Sequence, residues 1–337
     1  MTRRILVTGG AGYIGAHTVR LLLAQGHDVA IADNLSKGYR RNVPAERLHE
    51  IDVCQTGAMA DMMRRQKTDA VIHFAAYIAV GESMHEPERY FANNVGGSLS
   101  LLTAMMEAGV KQMVFSSTAA VYGNPHTTPI LEDFPIQPVS PYGESKVMVE
   151  TMLRWFDAIH QLRSVALRYF NACGADPAGD LGEEHEPETH LIPLLLRAVI
   201  TGEAVTVFGD DYDTPDGTCI RDYIHVNDLA RAHILALDHL MAGGASDQFN
   251  AGTGTGYSVL EVIRAVEEVT GRKVPYTVGR RREGDAARLV AASGKLEKEL
   301  GWRRNFSDLR TIVEHAWNFA ERRHAVETSA AVLPPSA

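Results

Sequence analysis

The sequence predicts an α/β protein built on a doubly wound parallel β-sheet, with a smaller mixed α/β lobe attached. Over the first 170 residues, short apolar runs alternate with helical segments, and this alternation places helices on both faces of a parallel sheet. A glycine-rich turn joins the first run to the first helix. After residue 170 the pattern becomes less regular. We therefore expect a first domain over residues 1–170, a lobe over 171–325 with some segments returning to the first domain, and a flexible tail over 326–337.

The first domain follows from its alternating segments. Ile5 to Val7 is apolar and β-branched, as in a buried strand, and the next segment has apolar residues at helical spacing. Predicted strands cover residues 4–7, 29–32, 70–75, 112–115 and 164–168, and predicted helices cover 13–25, 56–66, 88–108 and 142–160.

The second half begins with residues 171–189, which are rich in Gly, Pro and acidic residues and are typical of a loop. Predicted helices follow near 189–201, 226–242, 258–270 and 307–323, with predicted strands near 204–208 and 248–250. The last residues are rich in Ala, Pro and Ser and are expected to be frayed.

The glycine turn predicts a dinucleotide site. Gly10, Gly12 and Gly15 form GxGxxG, and Gly9, Gly12 and Gly15 form GxxGxxG, directly between a strand and a helix. Glycine permits close approach to a pyrophosphate, and the helix N-terminus offers free N–H groups to it. Asp33 follows Gly12 by 21 residues, where an acid accepts hydrogen bonds from an adenosine ribose. This pattern indicates a Rossmann domain that binds NAD rather than NADP, because an acid repels a 2′-phosphate. The alternative is a tight turn in an unrelated α/β protein.

Tyr142 and Lys146 are the candidate catalytic pair. Four residues apart at the start of a helix, they project from one face. A close ammonium lowers the pKa of a phenol, so that the tyrosine exchanges a proton near neutral pH. The alternative is a surface tyrosine beside a solvated lysine.

Further candidates lie where strands end, since ligands bind at the carboxyl ends of parallel strands. The small residues of Phe74-Ala75-Ala76 let the backbone approach a cofactor, and Thr118 is placed to bond a substrate hydroxyl, with strand-end capping as its alternative. Asn94 and Asn171 are candidates to orient nicotinamide and sugar, although a buried Asn bonded to backbone is equally common. The arginine forks of Arg221 and Arg282 suit a diphosphate, with structural salt bridges as the alternative.

Composition excludes several functions. A net charge of −9 argues against nucleic-acid binding, and no apolar run is long enough for a membrane helix. We expect no signal peptide. The three scattered cysteines are expected to be reduced thiols in a cytoplasmic protein. The fourteen histidines lack a recognised ligand spacing, so we expect no metal, including at His185 and His190.

Several motifs together resemble the nucleotide-sugar 4-epimerases of the extended short-chain dehydrogenase/reductase family, over about residues 4 to 320. The shared segments are Gly9–His17, Asp33–Leu35, Val80–Ser83, Ser116–Gly123, Tyr142 with Lys146, Arg168–Asn171, Phe208–Tyr212, Arg221–Val226 and Arg282–Asp285. The resemblance implies interconversion of UDP-glucose and UDP-galactose through a 4-keto sugar, with transient hydride transfer to bound NAD and a homodimeric assembly.

The resemblance also implies further site residues. For the cofactor they are Tyr13, Ile14, Asn34, Asp52, Val53, Ser116 and Tyr169, besides Gly9, Gly12, Gly15, Asp33, Phe74, Ala75, Ala76, Asn94, Tyr142 and Lys146. For the substrate they are His190, Leu191, Phe208, Tyr223, Asp285 and Leu289, besides Thr118, Tyr142, Asn171, Arg221 and Arg282. No metal is implied.

The chain departs from the best-known members of this family at three positions. Ile78 replaces a common lysine, which removes one expected cofactor contact, and Thr118 replaces a serine but keeps the hydroxyl. Leu289 stands where some members have tyrosine, so we expect room for an N-acetyl group. A UDP-pentose epimerase, a nucleotide-sugar decarboxylase or dehydratase, and a noncatalytic NAD-sensing protein remain alternatives. Against a dehydratase, Ala119-Ala120 stands where an acid pair is expected.

Overall fold

The structure, a computed structural model, describes residues 2–282 and 285–332. The strands are β1 (Arg4–Thr8), β2 (Asp28–Asp33), β3 (Leu48–Glu50), β4 (Ala70–His73), β5 (Gln112–Ser116), β6 (Arg163–Tyr169), β7 (Asn171–Cys173), β8 (Val205–Phe208), β9 (Ile220–His225), β10 (Asp247–Ala251), β11 (Gly256–Ser258), β12 (Tyr276–Gly279) and β13 (Arg288–Leu289). The α-helices are α1 (Tyr13–Ala24), α2 (Thr56–Gln66), α3 (Val80–Ser83), α4 (Pro87–Tyr90), α5 (Gly97–Ala108), α6 (Pro141–His160), α7 (Leu191–Thr201), α8 (Val226–Met241), α9 (Val259–Thr270), α10 (Gly294–Leu300) and α11 (Leu309–Val332).

The first domain is built on a seven-stranded sheet in the order β10-β6-β5-β4-β1-β2-β3, with every neighbouring pair parallel. The predicted doubly wound α/β fold is therefore confirmed. The order reverses between β1 and β4, and at such a point the loops leaving the two strands diverge and open a crevice. The glycine turn after β1 lies at this crevice.

Alternation along the strands divides the core between the two faces of the sheet. Ile5 and Val7 of β1 pack on the face that carries α1 and α8, while Leu6 packs on the face that carries α2, α5 and α6. All three side chains are fully buried. Because both faces are covered, the central strands β1, β4 and β5 carry consecutive apolar residues, which is why they were visible in the sequence.

The second lobe has its own core and small sheets. β9 pairs with β7, β11 and β13, and β8 pairs with β12. Helices α7, α9 and α11 enclose an apolar cluster beside these strands. Elements from this half return to the first domain. Helix α8 packs against α1, β10 adds the last strand of the main sheet beside β6, and α10 packs against α8 and β10.

Several elements differ from the prediction. The helix predicted over 88–108 comprises α4, a wider π-helical turn over Phe91–Gly96, and α5. A π turn of six residues is too short to establish a side-chain period of its own, so sequence spacing missed it. The terminal helix extends to Val332, into the segment predicted to be a flexible tail, because that segment contains several residues with high helix propensity. Residues 333–337 lie outside the described residues.

Of the helices that the structure describes, none combines the length and apolar character needed to cross a membrane.

Candidate active site

The glycine turn packs so tightly that side chains are excluded from it. Gly9 has a φ of +67°, and a Cβ on it would lie 2.6 Å from the backbone nitrogen of Ala75. A Cβ on Gly15 would lie 2.2 Å from the carbonyl oxygen of Gly9. Gly12 is the N-cap of α1 and provides no side-chain cap, so the first N–H groups of this helix face the crevice. A backbone cradle of this shape fits a dinucleotide pyrophosphate.

The residues that begin α1 hold the cradle in place. Tyr13 is buried, and its hydroxyl donates a hydrogen bond to the carbonyl oxygen of Gly174 at 2.7 Å. Its side chain therefore joins the nucleotide turn to the loop after β7. Ile14 packs against the apolar core of the first domain.

Asp33 at the end of β2 is buried beside the same turn. Its carboxylate accepts hydrogen bonds from the backbone N–H of Ala11 at 2.9 Å and of Leu35 at 2.8 Å. Burial raises the pKa of this carboxyl, and these two hydrogen bonds lower it. Since a carboxylate has about four acceptor sites, lone pairs remain for a ribose hydroxyl.

The next candidates converge on the same end of the crevice. The Asn34 amide donates to the Asp52 carboxylate at 2.8 Å, and Asp52 in turn accepts from the backbone N–H of Cys54. Val53 is buried between these polar groups and α5. The structure thus connects Asn34 and Asp52, two of the residues expected to contact the cofactor.

The end of β4 forms the other wall of the crevice. The backbone of Ala75 lies against Gly9, and the Phe74 ring packs against His233 with 4.6 Å between ring centroids. Ala76, next in the chain, is half-buried. Asn94, in the π turn, bonds both backbone groups of Tyr77, at 2.9 and 3.0 Å. Its amide therefore holds the chain that follows β4. This is the alternative role for Asn94, a buried asparagine bonded to the backbone.

The catalytic candidates lie in the first two turns of α6. Ser140 caps this helix by accepting a hydrogen bond from the backbone N–H of Gly143, and Pro141 occupies its first turn. Tyr142 and Lys146 are consequently fixed one turn apart, and both are buried. The Lys146 ammonium lies 5.9 Å from the centre of the Tyr142 ring and donates to the carbonyl oxygen of Ser116 at 2.8 Å.

Burial dominates the acid–base properties of this pair. It raises the pKa of the Tyr142 phenol, with a smaller rise from Tyr169, while a hydrogen bond with Thr118 lowers it. Burial also lowers the pKa of Lys146 to about 7. The predicted lowering of the phenol pKa by the lysine is therefore wrong for the chain without ligands, because the ammonium is bound to a carbonyl and desolvation outweighs its charge.

Thr118 and Ser116 close the site at the end of β5. The Thr118 hydroxyl accepts from the backbone N–H of Ala120 at 3.1 Å, so this residue caps the short helical turn that follows as well as contacting Tyr142. The Ser116 hydroxyl is hydrogen-bonded to the hydroxyl of Tyr169 at 2.8 Å. Burial raises the pKa of Tyr169, which keeps it protonated.

The second lobe brings Arg221 and Asp285 together. The Arg221 guanidinium donates to the carbonyl oxygens of Ile220 and Ala286 at 2.9 and 2.8 Å and lies 3.5 Å from the Asp285 carboxylate. The guanidinium of Arg221 thus has partners within the protein, which is the structural alternative to diphosphate binding that the sequence left open. The predicted diphosphate contact must share this guanidinium with them.

Phe208 and Arg282, also of the second lobe, contact each other. The Arg282 guanidinium lies 4.0 Å from the centre of the Phe208 ring, an arrangement that suits a cation–π contact. The motif to which Arg282 belongs continues through Glu283 and Gly284, which lie outside the described residues.

The remaining substrate candidates line the junction between the two halves. Asn171 is exposed and donates to the carbonyl oxygen of Asp222 at 3.1 Å, beside the buried Tyr223. Leu289 pairs with Arg221 in β13 and packs against the apolar cluster that contains Ala119. The second lobe therefore reaches the end of β5, next to Thr118.

His190 and Leu191 begin α7. The His190 imidazole contacts the Glu183 carboxylate, and although burial lowers the pKa of the imidazole, this ion pair raises it to about 9. Leu191 packs against the core of the second lobe.

Sequence reasoning missed one buried ion pair beneath the site. Glu150 bonds Arg168 through two oxygens, at 3.0 and 2.6 Å, and also accepts from the Ser117 hydroxyl. Its charge raises the pKa of Lys146 against the effect of burial. The available signal was spacing, because Glu150 follows Lys146 by four residues on the face already defined by Tyr142.

Comparisons with known proteins agree with this arrangement. The model of the NAD dependent epimerase/dehydratase family matches residues 5–252. UDP-glucose 4-epimerase of Lacticaseibacillus casei is 49% identical over 319 residues, covering 94% of this chain and 96% of that protein. The enzyme of the same name from Halalkalibacterium halodurans is 49% identical over 326 residues, covering 96% and 98%.

Solved structures give the same picture. UDP-glucose 4-epimerase from Brucella ovis, crystallised in complex with NAD, superimposes with a TM-score of 0.92 at 45% identity, covering 95% of this chain and 99% of that chain. The enzyme from Bifidobacterium longum, in complex with NAD⁺ and UDP, gives a TM-score of 0.89 at 39% identity, with coverage of 95% and 99%.

Proposed function

Because the chain belongs to the NAD dependent epimerase/dehydratase family, we propose that it interconverts UDP-glucose and UDP-galactose by inversion at C4 of the hexose. The observation that carries the proposal is the convergence of Tyr142, Lys146 and Thr118 at the crevice beside the glycine cradle. Relatives named UDP-glucose 4-epimerase match nearly the whole chain at 46–50% identity.

The cofactor is NAD, and the residues of the crevice fit it. The glycine turn would hold its pyrophosphate and Asp33 its adenosine ribose. When bound, the cofactor supplies the hydride acceptor as NAD⁺ and the hydride donor as NADH, and its oxidised form would add positive charge to the site.

The chain's own residues handle the proton. Tyr142 takes the proton of the sugar 4-hydroxyl and later returns it to O4, and Thr118 orients that hydroxyl through the hydrogen bond that it shares with the phenol. Lys146 stabilises the phenolate from the same helix face. Burial lowers the pKa of Lys146 to about 7, so this ammonium gives up its proton more readily than an exposed lysine does.

Inversion requires the 4-keto sugar to turn over while its nucleotide stays bound. We propose that the second lobe provides this anchor. Arg221 and Arg282 would contact the diphosphate, and Asn171, Phe208 and Leu191 would contact the rest of the nucleotide. In this proposal the first domain binds NAD, and the second lobe binds the UDP-sugar.

The test is direct. Purified protein is incubated with UDP-galactose, without added NAD, and the sugar nucleotides are separated by chromatography. We expect UDP-glucose to appear and to reach the same final ratio from either direction. Tyr142→Phe should abolish conversion, whereas Tyr276→Phe, which removes an exposed hydroxyl, should not. Failure of the wild type to convert UDP-galactose even with NAD present would refute the proposal, and UDP-N-acetylglucosamine and UDP-xylose would be offered next.

We also propose that the protein is a homodimer, because helices α5 and α6 leave apolar side chains exposed. Leu99 lies on α5, and on α6 Trp155 is 58% and Ile159 66% exposed, with Met148 two turns earlier. Two copies could bury these stripes against each other as packed helices. Light scattering should give twice the chain mass for the wild type and for Val326→Arg, which alters an exposed residue elsewhere, but one chain mass for Trp155→Arg.

The three cysteines, Cys54, Cys173 and Cys219, are free thiols. Unpaired cysteines are typical of a reducing compartment, and we propose a cytoplasmic location on this ground.

A further inference from the structure

Four side chains with metal-binding chemistry meet in the loop between β7 and α7. They are Glu183, His185, Glu188 and His190, spaced by two, three and two residues. Each directs one donor atom inwards, and the four donor atoms all lie within 4.8 Å of one another. From the sequence alone we expect no metal here, because this spacing matches no familiar ligand motif.

The two carboxylates of this cluster are buried. The side chains of Glu183 and Glu188 are only 4% and 9% exposed. Charges withdrawn from water are costly unless they are neutralised and fully bonded. The two carboxylates therefore favour a positively charged partner, and one divalent cation supplies two positive charges at a single point.

The distances around His185 favour a cation. Its Nδ1 is buried without a hydrogen-bond partner, 3.4 Å from the Glu183 carboxylate and 3.6 Å from the Glu188 carboxylate. An N–H···O hydrogen bond is normally 2.7–3.2 Å long. Ligands around a tetrahedral ion, with bonds of about 2.0–2.1 Å, lie roughly 3.3–3.4 Å apart. The His185 distances are close to the second geometry. On binding an ion, the contact between His190 and Glu183 would have to lengthen, and donor pairs that lie up to 4.8 Å apart would have to shorten.

Supporting contacts aim the ligands at the cluster. One oxygen of Glu188 accepts the backbone N–H groups of Thr189 and His190, at 2.8 and 2.9 Å, which leaves its other oxygen directed at His185. The imidazole of His185 packs edge-on to the Tyr13 ring and perpendicular to that of His190. Bonds of this kind, which orient a ligand from behind, are a regular feature of metal sites.

We propose that Glu183, His185, Glu188 and His190 bind one divalent first-row transition-metal ion, with Zn²⁺ as the best fit. Two imidazoles exclude the hard cations that prefer all-oxygen sites, and four protein ligands describe a closed, structural centre. The ion would join the loop that lies over the start of α1 to the first turn of α7. It would not take part in the chemistry at Tyr142, and it leaves the outer edge of the His190 ring, with 42% of that side chain exposed, free.

The test uses untagged full-length protein, stripped with a chelator and transferred to metal-free buffer. Zn²⁺ is titrated by calorimetry, and retained metal is measured by mass spectrometry after dialysis. We expect one Zn²⁺ per chain for the wild type and for the control His126→Gln, which removes an exposed imidazole far from the cluster in the chain. His185→Gln should bind roughly 100-fold more weakly, since even a residue that only supports a ligand is worth 10–100-fold in affinity.

Glu188→Gln is the second variant, because its amide oxygen can still accept the backbone hydrogen bonds that Glu188 accepts, while the ligand charge is lost. Both variants should melt like the metal-free wild type, and Zn²⁺ should raise the melting temperature of the wild type and of His126→Gln but not of these two variants. Binding of Zn²⁺ by His185→Gln or Glu188→Gln as tightly as by the wild type would overturn the proposal. So would a wild type that binds no metal, which would show that imidazolium protons alone neutralise the cluster.

Discussion

Two glycines of the nucleotide turn should respond differently to the same added methyl group. In Gly15→Ala the new Cβ would lie 2.2 Å from the Gly9 carbonyl oxygen and 2.8 Å from the Gly10 Cα, and both are backbone atoms. In Gly12→Ala the nearest protein atom, again the Gly9 oxygen, is 3.4 Å away, an ordinary contact. Gly12 also has a φ of −78°, which alanine adopts without strain. The first variant should therefore lose stability, and the second should lose only the cofactor.

The magnitudes follow from these distances. To restore a 3.4 Å contact, the start of α1 must move by about 1.2 Å from the turn, and overpacking of this kind costs about 1–3 kcal/mol. An unfolding entropy of about 2.1 cal/mol/K per residue turns this into a melting temperature lower by about 1.5–4 °C for a chain of 337 residues. Gly12→Ala blocks the approach of a charged phosphate to backbone N–H groups. A hydrogen bond to a charged group is worth about 1.5–3 kcal/mol, so cofactor affinity should fall roughly 10–100-fold.

The assay compares three stripped proteins by differential scanning calorimetry and then measures NAD affinity by titration. We expect Gly12→Ala to melt with the wild type in the absence of NAD and Gly15→Ala to melt below both. The reasoning is refuted if Gly12→Ala is the less stable variant, or if Gly15→Ala melts with the wild type.

Three further predictions concern the site and its surroundings. Lys146→Met should lower kcat by about 10²–10⁴, because the phenolate loses its buried counter-charge, and kcat within threefold of wild type for UDP-galactose would contradict this role. His73 has its pKa lowered by burial to about 3, and three other buried histidines have theirs lowered to about 3 or 4; all four must therefore take up protons on unfolding. The pKa of each histidine is lower in the folded protein than the unfolded value of 6.5, so the stability that they contribute is complete above pH 6.5 and is lost as the pH falls towards 4. The free energy of unfolding should fall by up to about 1.4 kcal/mol per histidine and pH unit. The midpoint of urea unfolding should therefore drop between pH 7 and 5, and a level midpoint would contradict this prediction. Leu289→Tyr should reduce kcat/KM for UDP-N-acetylglucosamine relative to UDP-glucose, and an unchanged ratio would show that this side chain does not limit the pocket.

The elements predicted correctly are those with local signals. β1, β2, β4, β5 and β6 contain apolar runs bounded by polar turns, and α1 and α6 carry glycine and Ser-Pro starts that identify helix N-termini without any tertiary information. The strand β3, with the sequence Leu48-His49-Glu50, has no such run and was not predicted. The cofactor crevice could be located for the same reason, since the order of these elements alone places the glycine turn at the carboxyl end of the sheet.

The elements missed depend on distant partners. β11 and β13 have three and two residues and exist because they pair with β9, so no periodicity can reveal them. The pKa shift of the Tyr142 phenol was mispredicted for a related reason. The sequence places Lys146 one turn from Tyr142, but the desolvation that raises the phenol pKa comes from side chains far away in the chain.

The return of α8 and β10 to the first sheet has a consequence for how the chain is made. When the ribosome has released residues 1–170, β6 still has an open edge, because its partner β10 begins at Asp247. The apolar face of α1 likewise waits for α8. The nascent first half must therefore expose an unpaired sheet edge until about 80 further residues have been synthesised. Such an edge can pair with other chains and so promotes aggregation. Cutting the gene after residue 170 should accordingly yield an insoluble fragment rather than an independent nucleotide-binding module.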